Sequence, residues 1–400
     1  MTRTEYGVRR WWMLAGLWFC YMALGLSMAS LAPLVSEIEA DLRFSHSAMG
    51  TVMGAWQFVY IFAAIPCGML LDRIGARWGL AIGAAIMGLS GIFRGFAEEY
   101  IELLAAVALF GIGGPLISAG APKVVREHFE GAHRGLAMGI YITGPGIGAV
   151  AALGLTQSVV LPLLDGNWRV LLQIWGWICV ASGVFWLLVA QDDTATPVRS
   201  EEKIGLSDLA EVVRIPAVRL ILLMSVAVFA INHGMGNWLV EMLKNLGASP
   251  SRASALATIP VAVGVLSALT LPRMAVGSRR FAVLTLLFAC STLASLSLLA
   301  QPHGIWLYVT LVVEGIAAGS MMTVLVLTLV EVPGVGARRS GTAGGFFFSA
   351  AEVGGVGGPV LIGILFSAHG HFSSSLMVLA LLGVVLLMGV FPLRRLLRSN

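Results

Sequence analysis

The sequence predicts an all-α membrane protein with twelve transmembrane helices in two six-helix pseudo-repeats. Hydrophobic residues make up 58% of the 400 residues and charged residues only 12%, with a mean hydropathy of +0.89. This composition is too apolar for a soluble globular domain. Apolar runs of about 20 residues, the length that crosses a bilayer as a helix, recur along the whole chain. The longest hydrophilic segment, at about 191–216, divides these runs six and six.

Each predicted span is dominated by apolar residues, and the connections between spans are short and contain Gly, Pro and charged residues. The first span is too long for a cleaved signal peptide, so we expect it to be retained. The twelve predicted spans cover residues 11–35, 47–71, 78–97, 103–124, 135–161, 169–190, 217–241, 253–275, 281–300, 305–330, 340–367 and 372–392.

Lys and Arg residues concentrate in alternate connections, which is the asymmetry that orients membrane proteins. With the N-terminus in the cytoplasm, the non-cytoplasmic connections hold only Arg43, Arg169, Lys244 and Arg252. Both termini are therefore predicted to be cytoplasmic. The net charge of +4 reflects this topology and gives no basis for nucleic-acid binding.

The predicted domains are an N-terminal half (1–190), a cytoplasmic linker (191–216) and a C-terminal half (217–400). The fifth and eleventh spans open with the related sequences 134–139 and 339–344, which have the same spacing from Arg to Gly. This similarity indicates duplicated halves. The linker is predicted to be either a short helix on the inner membrane surface or a disordered tether.

The connection between the second and third spans has the pattern G-x-x-x-D-R-x-G-x-R, formed by Gly68, Asp72, Arg73, Gly75 and Arg77. Glycine lets helix backbones approach closely and lets the chain turn sharply. The Asp72 carboxylate suits the positive N-terminal end of a neighbouring helix, and the two arginines can pair with it or with nearby carboxylates. The alternative is a solvated turn that only follows the topology rules.

This pattern resembles the signature loop between helices 2 and 3 of the major facilitator superfamily of secondary transporters. The resemblance implies two six-helix halves that rock around a site near the bilayer midplane. It also implies that the five residues of the loop form a cytoplasmic gate, whose contacts form when that side closes and break when it opens.

Two further passages carry resemblances within this superfamily. Gly144, Pro145 and Gly148 match part of the fifth-helix motif of its antiporters, and small residues there predict a helix-packing hinge. The fourth span, however, has no Arg ahead of Gly111, where drug/proton antiporters carry one. The sequences 122–126 and 134–139 are similar to the cyanate and nitroimidazole permease branch. Uptake of a small organic or inorganic anion is therefore favoured over export of lipophilic drugs.

Ionisable residues deep in the spans are costly and usually functional. Glu314 in the tenth span, Glu352 in the eleventh and His233 in the seventh are the proton-coupling candidates. Burial favours the neutral form of a carboxyl group, and histidine titrates near neutral pH, so each could carry a proton. The resemblance implies that Glu314 and His233 face the central cavity. The alternatives are permanently protonated carboxyl groups and, for His233, an ordinary hydrogen bond with Asn237 at i+4.

The substrate-binding candidates are the polar and aromatic side chains at depth in the spans. We expect Arg94, near Glu98 and Glu99, to be a structural arginine that snorkels or forms an ion pair, with an anion-binding role as the alternative. The other candidates are Tyr21, Trp56, Gln57, Tyr60, Asn232 and Asn237.

The functional prediction is a proton-coupled transporter of a small solute, not an enzyme. A drug/proton antiporter and a transporter-like sensor that moves no solute are the alternatives. We expect no cofactor and no metal, because no phosphate-binding loop or metal-ligand spacing is present. The expected surroundings are a bacterial inner membrane, with a small-molecule substrate, protons and lipid as partners, and the expected oligomeric state is a monomer.

Overall fold

The computed structural model describes residues 3–191 and 211–397, and these are helical almost throughout. The helices are α1 (Arg3–Ala29), α2 (Val35–Leu42), α3 (His46–Phe96), α4 (Tyr100–His128), α5 (Gly131–Ile142), α6 (Gly144–Leu155), α7 (Leu161–Leu163), α8 (Trp168–Val189), α9 (Pro216–Asn245), α10 (Pro250–Met274), α11 (Arg279–Leu299), α12 (Ile305–Val330), α13 (Gly336–His369) and α14 (Ser373–Leu396). Most of the predicted linker, residues 192–210, lies outside the described residues, and residues 211–214 are helical.

The twelve predicted spans are confirmed. Within the described ranges, eleven helical segments are long and apolar enough to cross a membrane, and α3, with 51 residues, is long enough for two crossings. The two crossings meet at Gly75, whose φ of 79° and ψ of 166° break the helix. Glycine adopts this conformation without the strain that a side chain would add.

The first and fifth spans are less regular than predicted. The first helix ends at Ala29 instead of continuing to residue 35, and a 3-10 turn (Ala32–Leu34) precedes α2. Pro33 in that turn lacks the N–H that a continuous helix needs. The fifth span divides into α5 and α6 on either side of Thr143, and α6 runs into a π-helical turn at Thr156–Val160.

The chain forms two compact units. The first comprises Met1–Phe44, Ala55–Arg199 and Pro250–Ala255, and the second comprises Ser45–Gly54, Ser200–Ser249 and Leu256–Asn400. The start of α3 belongs to the second unit, and the start of α10 belongs to the first.

In the first unit, α1 packs closely against α6. A Cβ at Gly25 would overlap the backbone of Pro145, and a Cβ at Gly148 would overlap the carbonyl oxygen of Met22. Small residues at such positions let membrane helices approach to backbone contact, where van der Waals packing replaces the missing hydrophobic driving force.

In the second unit, α9 and α13 pack in the same manner. A Cβ at Gly354 would overlap the carbonyl oxygen of Val226, and one at Gly358 would overlap that of Ala230. The helices α10 and α12 approach at Gly264 and Gly319. These contacts fix the helices that carry the buried polar residues of this unit.

Candidate functional site

Two tyrosines of the first unit converge on one serine of α4. The Tyr21 hydroxyl donates to the backbone oxygen of Ser118 at 3.2 Å, and the Tyr60 hydroxyl shares a 3.0 Å hydrogen bond with Ser118 Oγ. The Tyr141 ring lies edge-on to Tyr21, with ring centroids 5.0 Å apart. The cluster joins α1, α3, α4 and α5 and offers hydroxyl groups among aromatic faces, which suits a small polar solute.

An aromatic contact extends this cluster towards Arg94. The Trp56 ring is 6.2 Å from that of Tyr60 and 5.4 Å from that of Phe110. A Cβ at Gly111 would overlap the backbone oxygen of Trp56, so glycine lets α4 approach α3 at this point. The neighbouring Gln57 is fully buried.

Arg94 is buried at the end of α1, with a relative exposure of 2%. Its Nη1 donates to the Ser27 carbonyl at 3.0 Å and to Ser30 Oγ at 3.1 Å, and its Cζ lies 5.7 Å from the Phe110 ring centre. The Ser27 carbonyl belongs to the last turn of α1, where helix carbonyls lack intrahelical partners. The guanidinium therefore caps the negative end of this helix.

This geometry corrects the partners expected for Arg94. It neither snorkels nor pairs with Glu98 or Glu99, because its side chain turns inward to α1 and α4.

Glu314 lies inside the second unit, with a relative exposure of 2%. Its Oε2 has no hydrogen-bond partner within the described residues. One turn further along α12, the Ala318 carbonyl accepts a 3.5 Å hydrogen bond from Asn232 Nδ2 of α9. The Oδ1 atom of Asn232 is buried without a partner in the described chain.

Glu352 is the second buried carboxyl group of this unit, with a relative exposure of 5%. It lies on α13 beside the close contact that Gly354 makes with α9. Its Oε2 also lacks a hydrogen-bond partner in the described part of the chain. Two buried carboxyl groups with unused acceptor atoms are thus held in one unit.

His233 and Asn237 contact each other differently from the prediction. The Asn237 amide donates to the backbone carbonyl of His233 at 2.8 Å, within α9, and does not bond to the imidazole. The His233 ring lies 5.4 Å from that of Phe229. The hydrogen bond of Asn237 is therefore local to its own helix.

The charged loop after the second span forms contacts with two other helices. Asp72 pairs with Lys123 of α4 at 3.9 Å, and Arg77 Nη2 donates to the Leu187 carbonyl at 3.4 Å, in the last turn of α8. Arg73 is exposed. The close helix approach expected at Gly68 is wrong, because a Cβ there would meet open space.

The predicted hinge residues lie against α1. A Cβ at Gly144 would come within 2.8 Å of Tyr21 Cβ, and Pro145 lies in the first turn of α6, after the break at Thr143. Pro at the start of a helix loses no intrahelical bond. The Trp18 indole donates to Thr143 Oγ1 at 3.1 Å, which holds the break against α1.

Sequence reasoning missed Ser118, Phe110 and Tyr141, which join the candidate residues. Serine, phenylalanine and tyrosine are common in membrane helices, and only the packing of α1, α3, α4 and α5 brings these side chains together. Among the described residues, no group of His, Cys, Asp and Glu side chains could hold a metal ion.

Comparisons with known proteins agree on one family. A family model described as Major Facilitator Superfamily matches residues 17–242. An uncharacterized transporter, YycB, of Bacillus subtilis (strain 168) is 23% identical over 389 residues, which cover 96% of this chain and 92% of that protein. A protein of the same organism named as a hexuronate transporter is 22% identical over 373 residues, covering 88% of this chain and 86% of that protein.

Solved structures show the same fold. The crystal structure of the nucleoside transporter NupG has a TM-score of 0.79 at 14% sequence identity, and the match covers 96% of this chain and 98% of that one. At this level of identity, the likeness concerns the fold alone.

Proposed function

Because the chain belongs to the Major Facilitator Superfamily, we propose that it carries a small organic or inorganic anion by alternating access, coupled to protons. The protein is an integral membrane protein. Its proposed location is a bacterial inner membrane, with both termini in the cytoplasm, as the distribution of Lys and Arg predicts.

The observation that carries the proposal is the pair of buried carboxyl groups in the second unit. Glu314 and Glu352 are 2% and 5% exposed, and neither forms an ion pair within the described chain. An ionised carboxylate that is buried away from water is costly, so each carboxyl group is expected to be protonated while water is excluded from it. Exposure of either carboxyl group to water would then release the proton, which is the behaviour that a proton carrier needs.

The anionic substrate class is supported by two arguments. A similar protein of Bacillus subtilis is named as a hexuronate transporter. In addition, a monoanion that moves with one proton crosses the membrane without net charge, so its transport needs no buried cation to compensate it. The hydroxyl groups of Tyr21, Tyr60 and Ser118 would supply the hydrogen bonds that orient the solute.

The test uses the purified chain in liposomes that hold a pH-sensitive dye. A panel of sugar acids, other small carboxylates and inorganic anions is added outside, with lipophilic cations as the comparison class. We expect one class of anion to cause proton entry, and Glu314→Gln to abolish that proton entry. The matched control is Glu98→Gln, which changes an exposed carboxylate in the same way and should leave proton entry intact.

Three results would contradict the proposal. Movement of an anion without protons in the unmodified protein would remove the coupling role of Glu314. Proton exit driven only by lipophilic cations would favour the drug antiporter. If no compound of the panel moves while the protein remains folded, the sensor interpretation replaces transport.

A further inference from the structure

A cationic cleft lies at one end of the first unit, next to the charged loop that carries Asp72 and apart from the tyrosine cluster around Ser118. It has a volume of about 500 Å³ and opens between α3, α4 and α5. The charge distribution predicts this end to be cytoplasmic. Its lining includes the charged side chains of Asp72, Lys123, Arg126 and Arg134.

The charge of the cleft is unbalanced. Lys123, Arg126 and Arg134 face one carboxylate among the lining residues, that of Asp72. Glu127 and Glu130 lie nearby in sequence but do not line the cleft. Such an arrangement attracts an anion, because the positive side chains surround a partly enclosed volume.

The contacts within the cleft leave this excess uncancelled. The Lys123–Asp72 pair is 3.9 Å long, and the Asp72 side chain is 81% exposed, so the attraction between them is weak. Arg134 donates from Nε and Nη2 to the carbonyls of Phe129 and Arg126. These bonds fix its guanidinium at the end of α4 without neutralising its charge.

The walls of the cleft are apolar next to the cations. Leu71 of α3, Pro122 of α4 and Met138 of α5 contribute the wall, and Met138 is 40% exposed. A cationic pocket between helices at the cytoplasmic membrane surface, with apolar side chains beside it, is the form of an acidic-lipid headgroup site.

We propose that the cleft binds the phosphate of an anionic phospholipid headgroup from the inner leaflet. Lys123 and Arg126 contact the phosphate, Arg134 holds the end of α4 and adds positive charge, and the exposed Met138 contacts the first carbons of the acyl chains. Asp72 weakens binding by repulsion. This role is independent of which solute the protein transports.

The experiment measures lipid retention by the full-length protein in detergent, using native mass spectrometry. The ligands are a short-chain phosphatidylglycerol, a phosphatidylcholine of equal chain length and inorganic phosphate. The double variant Lys123→Gln/Arg126→Gln removes two cations of the cleft. The matched control, Arg273→Gln/Arg279→Gln, removes two exposed cations that do not line it.

We expect phosphatidylglycerol to bind far more tightly than phosphatidylcholine. The Lys123→Gln/Arg126→Gln variant should weaken phosphatidylglycerol binding about 25-fold, because each lost cation weakens it about fivefold. The control variant should bind phosphatidylglycerol within about twofold of the unmodified protein, because its two cations lie outside the cleft. Asp72→Asn should tighten binding about fivefold, since it removes the one carboxylate among the described residues that line the cleft.

The Asp72→Asn variant keeps the proposal testable if the double variant fails to fold, because its predicted effect has the opposite sign. Equal retention of the two lipids, or equal losses in the cleft and control variants, would overturn the proposal. Inorganic phosphate that binds as tightly as phosphatidylglycerol, with the same dependence on Lys123 and Arg126, would assign the cleft to a soluble anion instead.

Discussion

Replacement of Arg94 with Met tests whether this residue supports the fold or binds the substrate. Methionine fills much of the same space but donates no hydrogen bond. The change removes two buried charge-assisted bonds, to the Ser27 carbonyl and Ser30 Oγ, and the contact with the Phe110 ring. It also leaves the carbonyl at the end of α1 without its cation.

The expected loss of stability follows from these contacts. An orphaned buried carbonyl costs about 1–3 kcal/mol, and the lost cation–π contact costs about 0.5–2 kcal/mol. Release of the guanidinium from a buried position offsets part of this sum. The net destabilisation by Arg94→Met is therefore expected to be about 2–4 kcal/mol, by the same scale.

The assay uses the buried thiols as reporters. Cys20 of α1 and Cys179 of α8 are both fully buried. The Cys20 thiol donates to the Ser182 carbonyl of α8, and the Cys179 thiol donates to the Ala23 carbonyl of α1. A fluorophore that reacts with exposed thiols should therefore report the loss of α1 on heating. Arg94→Met should lower the midpoint temperature of this reaction clearly.

The control is Arg43→Met, which changes an exposed arginine near the same end of the unit and should shift the midpoint very little. An unchanged midpoint for Arg94→Met, together with a sharply raised Michaelis constant for the transported anion, would refute the capping role. It would assign Arg94 to substrate binding.

Two further predictions concern α13 and α9. Gly358→Ala should destabilise the protein by about 1–3 kcal/mol, because the added Cβ would overlap the Ala230 backbone. The control, Gly357→Ala, adds a Cβ that meets open space and should be neutral or slightly stabilising. The midpoint temperature of the thiol reaction compares the two variants, and equal midpoints would contradict the α9–α13 contact. Asn237→Ala should leave the pH dependence of transport unchanged, because its amide bonds to the backbone of His233 and not to the imidazole; a displaced pH profile in the liposome assay would show that the pair acts together.

The spans could be predicted from the sequence because a bilayer imposes one length and one polarity on every helix that crosses it. The break at Gly75 follows from the same local chemistry, since a charged loop and a glycine stand between two apolar runs. The early end of the first helix is harder to predict. Pro33 marks a turn, but the capping of the helix end depends on Arg94, which is distant in sequence.

The candidate site was only partly predictable for a related reason. A carboxyl group in the middle of an apolar run is expected to be buried, and Glu314 and Glu352 are. Their roles in proton coupling remain predictions. The cluster around Ser118 and the grouping of Lys123, Arg126 and Arg134 arise where separate helices meet, so no local pattern reveals them.

The central claim, proton-coupled anion transport through Glu314, is tested most directly by the equilibrium accumulation of the identified anion in liposomes under an imposed pH gradient. With the membrane potential clamped at zero, one proton per monoanion predicts about tenfold accumulation for each pH unit. Glu314→Gln should exchange the anion across the membrane without accumulating it. The claim would be contradicted if accumulation by the unmodified protein did not depend on the pH gradient. It would also be contradicted if Glu314→Gln left the accumulation ratio unaltered.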